Sequence, residues 1–166
     1  MIFDAYIRWR HSRGFGVHSP FAYHIVTSAI SPGRQYGYYG YEAIEQSDPK
    51  NSRRDARFLL RLIVALDAKR VLIPATADKA LLTAVRASGA EIVSDSPDLA
   101  VVFSPDKAPA LIDKGIPVLI MSASRKCDME TALPGNPFRG LILLGLRKAL
   151  IIPREDMART FYTMSF

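Results

Sequence analysis

At 166 residues with 49% hydrophobic content, the chain is long enough for one ordinary core and too short for two comfortable domains. Its formal net charge of +6 lies within the usual range of a small soluble domain, and the single cysteine, Cys127, excludes an internal disulfide. No run approaches the roughly 18 apolar residues of a membrane span, and the N-terminus lacks the pattern of a signal peptide, so a cytoplasmic protein without a membrane role is expected.

Residues 1–61 carry nine Lys/Arg against five Asp/Glu, and His11, His18 and His24 all fall in the first 24 positions. A basic N-terminal region attracts phosphate or nucleic acid, or is simply a solvated surface. Ile2, Phe3, Tyr6, Ile7 and Trp9 recur at helical spacing and predict a short amphipathic helix, which Arg13-Gly14-Phe15-Gly16-Val17 breaks. Ser19 followed by Pro20 is a helix start: the hydroxyl caps orphan N–H groups and the proline is pre-set for the first helical position. Phe21, Ala22, Ile25, Val26, Ala29 and Ile30 form its apolar face, with Phe21 and Ile25 docking it on the core, and Ser31-Pro32-Gly33 ends it.

The tyrosine-rich piece from Tyr36 to Tyr41 leads into a short helix near Glu42–Gln46. Its rings suit stacking on bases or a ring-shaped substrate, or sealing the junction between a helical cap and the core. Ser47-Asp48-Pro49-Lys50-Asn51 reads as a turn or linker. Ser52 with Asp55 forms a capping box for a helix whose face is Phe58, Leu59, Leu62, Ile63 and Leu66, ending near Ala68.

From there the pattern is α/β. A strand Val71–Ala75 precedes a helix Ala77–Ser88, with Thr76 as N-cap and Gly89 beyond the end. Glu91-Ile92-Val93 is a short strand and Leu99–Phe103 a buried one. Ser104-Pro105 opens a short helix ending at Gly115, Pro117–Met121 is the next buried strand, and Asp128–Leu133 is a weak helix. Leu141–Leu146 and Ala149–Ile152 flank Arg147-Lys148 as a hairpin, and Thr160–Phe166 alternates as a terminal strand. Only about five residues separate Val93 from Leu99, whereas a parallel crossover takes roughly a dozen. Either Glu91–Val93 is not a full parallel strand, or a helix–strand–helix segment has been lost.

The strand–loop–helix passage Arg70–Leu82 is where doubly wound α/β proteins hold a nucleotide-like cofactor. Its loop has no glycine: Pro74 removes a backbone donor, and Ala75, Ala77 and Lys79 place side chains where a ligand approaches.

His11-Ser12-Arg13-Gly14-Phe15-Gly16-Val17-His18-Ser19-Pro20-Phe21-Ala22-Tyr23 resembles the HGVHSPF-type box that opens a group of class I S-adenosylmethionine-dependent methyltransferase-like proteins. The resemblance continues through Tyr38–Glu45, Phe58–Ala75 and Leu144–Phe166, with the middle contracted. It implies an α/β fold that is a reduced Rossmann-like, class I methyltransferase-like sandwich: a mostly parallel sheet with a C-terminal antiparallel hairpin and an N-terminal helical cap. Residues 1–51 would form the cap and residues 52–166 the core, as one structural unit.

In that family the first strand runs into an acidic, glycine-bearing loop that holds the methionine part of the cofactor. Here the acidic position falls on Ile73, the first glycine on Ala75 and the last on Lys79. A lysine there opposes the positive helix end and sits near a sulfonium cation, each effect on the order of 1 kcal/mol. The candidates for cofactor contact are Ala75, Thr76 and Asp95, the last lying twenty residues after Ala75, where an acidic side chain binds ribose hydroxyls. A solvated turn aspartate before Pro97 is the other reading of Asp95.

Catechol-type relatives hold a divalent cation with carboxylates after the inner strands. The corresponding ends here, Ser104-Pro105-Asp106-Lys107 and Met121-Ser122-Ala123-Ser124, offer Asp106 alone, so no metal is expected. Cys127 has Arg125 and Lys126 beside it but no histidine in that half of the chain, and reads as inert. His18 is the candidate catalytic base or ligand, against a structural role beside the Ser19 cap.

One functional reading is a non-catalytic binding or regulatory relative of the methyltransferases that takes no cofactor. Its sheet edge near Glu91–Val93 would be covered by a partner chain or a second copy. Another is an active small-molecule methyltransferase holding S-adenosylmethionine in an unusual pose, with Asp95 on the ribose and His18 as base. A third is an RNA or phosphate-binding module using Arg8, Arg10, Arg13, Arg34, Arg53, Arg54 and Arg57 with the tyrosine cluster.

Overall fold

The computed structural model describes residues 2–32, 40–47, 53–121, 133–135 and 137–166. Outside the described residues lie Arg34, Tyr36 to Tyr39, the linker from Asp48, the Ser52 cap, the stretch from Ser122 through Cys127, and the helix expected from Asp128 onward up to Leu133; the side chains of Ile2 and Phe3 do so too. In chain order the elements are α1 (Ile2–Ser12), α2 (Pro20–Ile25) running into a π-helix (Val26–Ile30), α3 (Tyr41–Ser47), α4 (Arg53–Leu66) and β1 (Arg70–Leu72). There follow α5 (Lys79–Ala87), β2 (Glu91–Ile92), β3 (Leu99–Val102), a 3₁₀ turn (Pro105–Lys107), α6 (Ala108–Ile112), β4 (Val118–Met121), β5 (Gly140–Leu144), β6 (Lys148–Pro153) and β7 (Thr160–Thr163). The class is α/β, and the chain divides into two compact units, Ser19–Asp98 and Met1–His18 with Leu99–Phe166.

In the unit Ser19–Asp98, the Ser19 hydroxyl accepts from the Ala22 N–H at 3.2 Å and Pro20 opens α2, as the sequence predicts. Ala22, Ile25, Val26 and Ala29 are buried, whereas Phe21 and Ile30 are half-buried. The helix loosens to π geometry where Ser31 N–H reaches Val26 O at 2.9 Å. There the Thr27 hydroxyl donates back to Tyr23 O at 2.9 Å, the back-bonding that perturbs helices. α4 buries Phe58, Leu59, Leu60, Leu62 and Ile63 and packs against α5. A Cβ on Gly40 would lie 2.3 Å from Leu60 Cδ1 and 2.8 Å from Ala87 Cβ, so the entry to α3 fits only a glycine. Arg61 ties the layer together, donating through Nε to Ala29 O at 2.8 Å and through NH1 to the Tyr41 hydroxyl at 2.7 Å.

β1, α5 and β2 form a parallel βαβ unit of Rossmann-like type, with Arg70 opposite Glu91 and Val71 opposite Ile92. β1 stops at Leu72 instead of running to Ala75, because Pro74 has no N–H for a ladder and its carbonyl instead accepts from Ala77 N–H at 2.9 Å. That turn displaces the expected helix start. Thr76 is an exposed turn residue and not the N-cap; the cap position is Asp78, whose carbonyl takes the N–H groups of Leu81 and Leu82. α5 ends as expected before Gly89, which has φ +80°.

The short return after β2 is resolved by the brevity of that strand. Val93 N–H bonds Val71 O at 3.0 Å, while Asp98 N–H bonds Arg70 O at 2.8 Å. Carbonyls of successive strand residues point to opposite sides, so the chain passes from one side of β1 to the other between Val93 and Asp98. A β2 of two residues leaves enough chain for the crossing.

In the unit Met1–His18 with Leu99–Phe166, β3, α6 and β4 form a second parallel βαβ arrangement. β6 lies antiparallel between β4 and β5, and β7 pairs parallel with β5, giving the order β3-β4-β6-β5-β7. β3, β4 and β5 are buried along their whole length, which is why they read as unbroken apolar runs. The expected hairpin is present, but its turn is Gly145-Leu146-Arg147: Gly145 N–H donates to Lys148 O at 2.8 Å, and Leu146 is exposed.

α1 forms as expected, but of its expected apolar face Tyr6 and Trp9 stand exposed while Ile7 is half-buried. Residues three and four apart share a helix face. His11 and Ser12 turn towards β7, and Tyr6, Trp9 and Arg10 turn to solvent. His11 Nδ1 lies 3.1 Å from Thr163 O and its ring meets Tyr162 edge-on at 5.3 Å. The Ser12 hydroxyl donates to Arg8 O at 2.7 Å and accepts from Ser165 N–H at 2.7 Å. No helix among the described residues is long and apolar enough to cross a membrane.

Candidate functional site

β1 and β2 are parallel and adjacent, so the loops at their carboxyl ends form the edge at which doubly wound sheets hold ligands. The first of these loops carries Ala75 and Thr76, both exposed, followed by buried Ala77 and the exposed pair Asp78 and Lys79. Among the described non-glycine residues only Asp67 and Ser96 have positive φ, so no residue of the Ile73–Asp78 loop takes the left-handed conformation that lets a glycine loop wrap a ligand. Ala77 N–H is already bonded to Pro74 O, and Pro74 itself has no N–H. Lys79 is the first residue of α5, placing its charge in the turn where the helix dipole is positive.

Asp95 belongs to the crossing after β2. Its carbonyl accepts from Arg70 NH2 at 2.7 Å, and its carboxylate closes a local turn by accepting from Ser96 N–H at 2.8 Å. Ser96 has φ +44°, so the crossing is a tight, tied segment. The residue that fastens it is Asp98, whose Oδ2 accepts from Lys69 N–H at 2.9 Å and Arg70 N–H at 2.8 Å. Sequence reading missed Asp98, although a Pro-Asp pair directly before a buried strand is a turn signal.

His18 sits in the other unit, exposed, with its backbone N–H donating to the Tyr162 hydroxyl at 3.2 Å. Together with His11 and Ser12 it places the first half of the N-terminal box on β7, and Gly14 and Gly16 supply the φ of +83° and +78° that the intervening turn needs. The second half of the box, from Ser19, opens α2.

After β3, the Ser104 hydroxyl donates to Asp106, and that bond holds the Asp106 carboxyl below the usual carboxylate range. No group of three or more His, Cys, Asp or Glu among the described residues is arranged to hold a metal ion. An open hollow of about 650 Å³ lies where Ile112–Gly115, Pro137–Arg139 and Pro153–Glu155 converge. These are the amino ends of β4 and β5, the edge opposite the one doubly wound folds use for ligands. Its arginines are engaged: Arg139 Nε donates to Glu155 O at 2.6 Å, and Arg154 grips Asp156 with bonds of 2.9 and 2.6 Å.

Comparisons with family models, curated proteins and solved structures give no match.

Proposed function

We propose that this chain is a non-catalytic binding or regulatory protein on a methyltransferase-like scaffold, with no working S-adenosylmethionine site. The observation that carries the reading is the β1–α5 loop. Its backbone is right-handed or extended throughout, Pro74 has no N–H and that of Ala77 is spent on Pro74 O, and the first side chain of α5 is a lysine. A cofactor with a sulfonium cation would meet that lysine instead of an acidic group. The antiparallel β6 beside β4 and the parallel βαβ units support the scaffold half of the reading.

Asp95 supports the same reading, since one oxygen of the carboxylate expected on a ribose already accepts from the neighbouring Ser96 N–H while Arg70 holds its backbone carbonyl. The proposed partner contact lies along β2, where Glu91 and Ile92 are exposed. Isothermal titration of the full chain with S-adenosylmethionine and S-adenosylhomocysteine tests the proposal. No heat of binding at millimolar ligand is expected, and micromolar binding of either compound overturns it.

A further inference from the structure

The outward face of α1 has no role in the preceding reading. Tyr6 and Trp9 stand 51% and 47% exposed, with rings 6.1 Å apart and nearly parallel at 22°. The Arg13 guanidinium lies 4.7 Å from the Trp9 ring centre and that of Arg10 lies 5.9 Å from Tyr6. Phe15, in the turn that follows, is 58% exposed. The helix spends polar His11 and Ser12 on its own sheet and leaves Tyr6 and Trp9 in water, against the ordinary gain from burying such rings.

We infer that this face is a stacking surface for single-stranded RNA. Guanidinium groups held near aromatic rings offer their planes to unstacked bases and their N–H groups to phosphates. Holding them in advance lowers the ordering cost of binding. Neither Arg10 nor Arg13 is paired with a carboxylate of the described residues, so their charge is directed outward. Arg8 adds a second arginine to the helix that carries Arg10, with Asp4 as the helix's one carboxylate. A lipid surface fits less well. A membrane-bound helix segregates an apolar face from a charged one, whereas here Arg10 and Arg13 lie among the rings that would have to enter the bilayer. The inference uses α1 and the turn that follows it, and stands or falls separately from the cofactor question.

Trp9 is the only tryptophan, so its fluorescence reads this face directly. Titrating the full chain with a 12-nucleotide oligouridylate at about 50 mM salt, where counterion release favours binding, should quench Trp9 emission and raise the anisotropy of a labelled oligomer in parallel. Trp9→Ala should weaken the anisotropy-measured affinity by about tenfold or more, as expected for loss of one stacking ring. Arg13→Gln should lower the slope of log K against log salt by about 0.7, the value for one phosphate contact on a single strand. Circular dichroism melting of both variants separates these losses from unfolding. Absence of binding, binding without a Trp9 response, or an affinity unchanged in folded Trp9→Ala overturns the inference. Preference for oligodeoxythymidylate, or a Trp9 response to phosphatidylserine vesicles and none to the oligomer, overturns it as well.

Discussion

Ser12→Ala tests how the N-terminal box is fixed to the sheet. Ser12 is 5% exposed, and its hydroxyl accepts from Ser165 N–H at 2.7 Å while donating to Arg8 O at 2.7 Å. Alanine leaves the Ser165 N–H without its acceptor; the bond is part-buried and Ser165 is exposed, so the loss is that of an ordinary hydrogen bond, about 1–1.5 kcal/mol. Alanine's better helix propensity returns about 0.5 kcal/mol. The net destabilisation is about 0.5–1 kcal/mol, equivalent to a fall in Tm of about 1–4 °C for a chain of this size. Urea unfolding followed by circular dichroism should show a lower midpoint at unchanged m-value. A change below about 0.3 kcal/mol, within the range of ordinary surface substitutions, would mean that α1 is not held on β7 by this residue.

Ser19→Ala should cost about 1 kcal/mol through loss of the cap on Ala22 N–H. Phe21→Ala should cost about 2 kcal/mol, below the value for a fully buried ring because Phe21 is only half-buried; thermal melts of the two variants check both. Gly40→Ala forces a methyl against Leu60 and the fixed Cβ of Ala87, and should destabilise by about 1–3 kcal/mol in urea titration. Arg154 hydrogen-bonds Asp156 and holds its carboxyl below the usual carboxylate range. The native state therefore binds fewer protons there than the unfolded one, so this contribution to stability is complete above the ordinary carboxylate pKa and lost as pH falls through the depressed one. Arg154→Gln should raise the Asp156 midpoint in a carboxyl NMR titration, and an unmoved midpoint would contradict the pairing.

The strands of the Leu99–Phe166 region were legible because fully buried strands read as apolar runs bounded by turn residues, and β3, β4 and β5 are of that kind. The Ser19-Pro20 start was legible because its chemistry is local. Thr76 was misplaced as a cap because a carbonyl two residues upstream, on Pro74, captures the Ala77 N–H, and composition does not show which turn closes first. The periodicity of α1 grouped Tyr6 and Trp9, which stand exposed, with Ile7, which is half-buried, since spacing tells which residues share a face and not which face meets the sheet. That choice is set by His11 and Ser12, whose partners Thr163 and Ser165 lie at the far end of the chain. Asp98 escaped notice for the same reason: its two backbone partners, Lys69 and Arg70, are remote in sequence.

The most direct measurement on the central claim reads the β1–α5 loop itself. Amide ¹H–¹⁵N spectra of the full chain should be recorded while S-adenosylhomocysteine, then S-adenosylmethionine, is added to millimolar concentration. The account predicts that the Ala75, Thr76, Ala77 and Asp95 signals stay in place, because Pro74 offers no N–H, Ala77 N–H is bonded to Pro74 O, and the Asp95 carboxylate already accepts from Ser96 N–H. Saturable shifts of these amides at micromolar ligand would show a working cofactor site and contradict it.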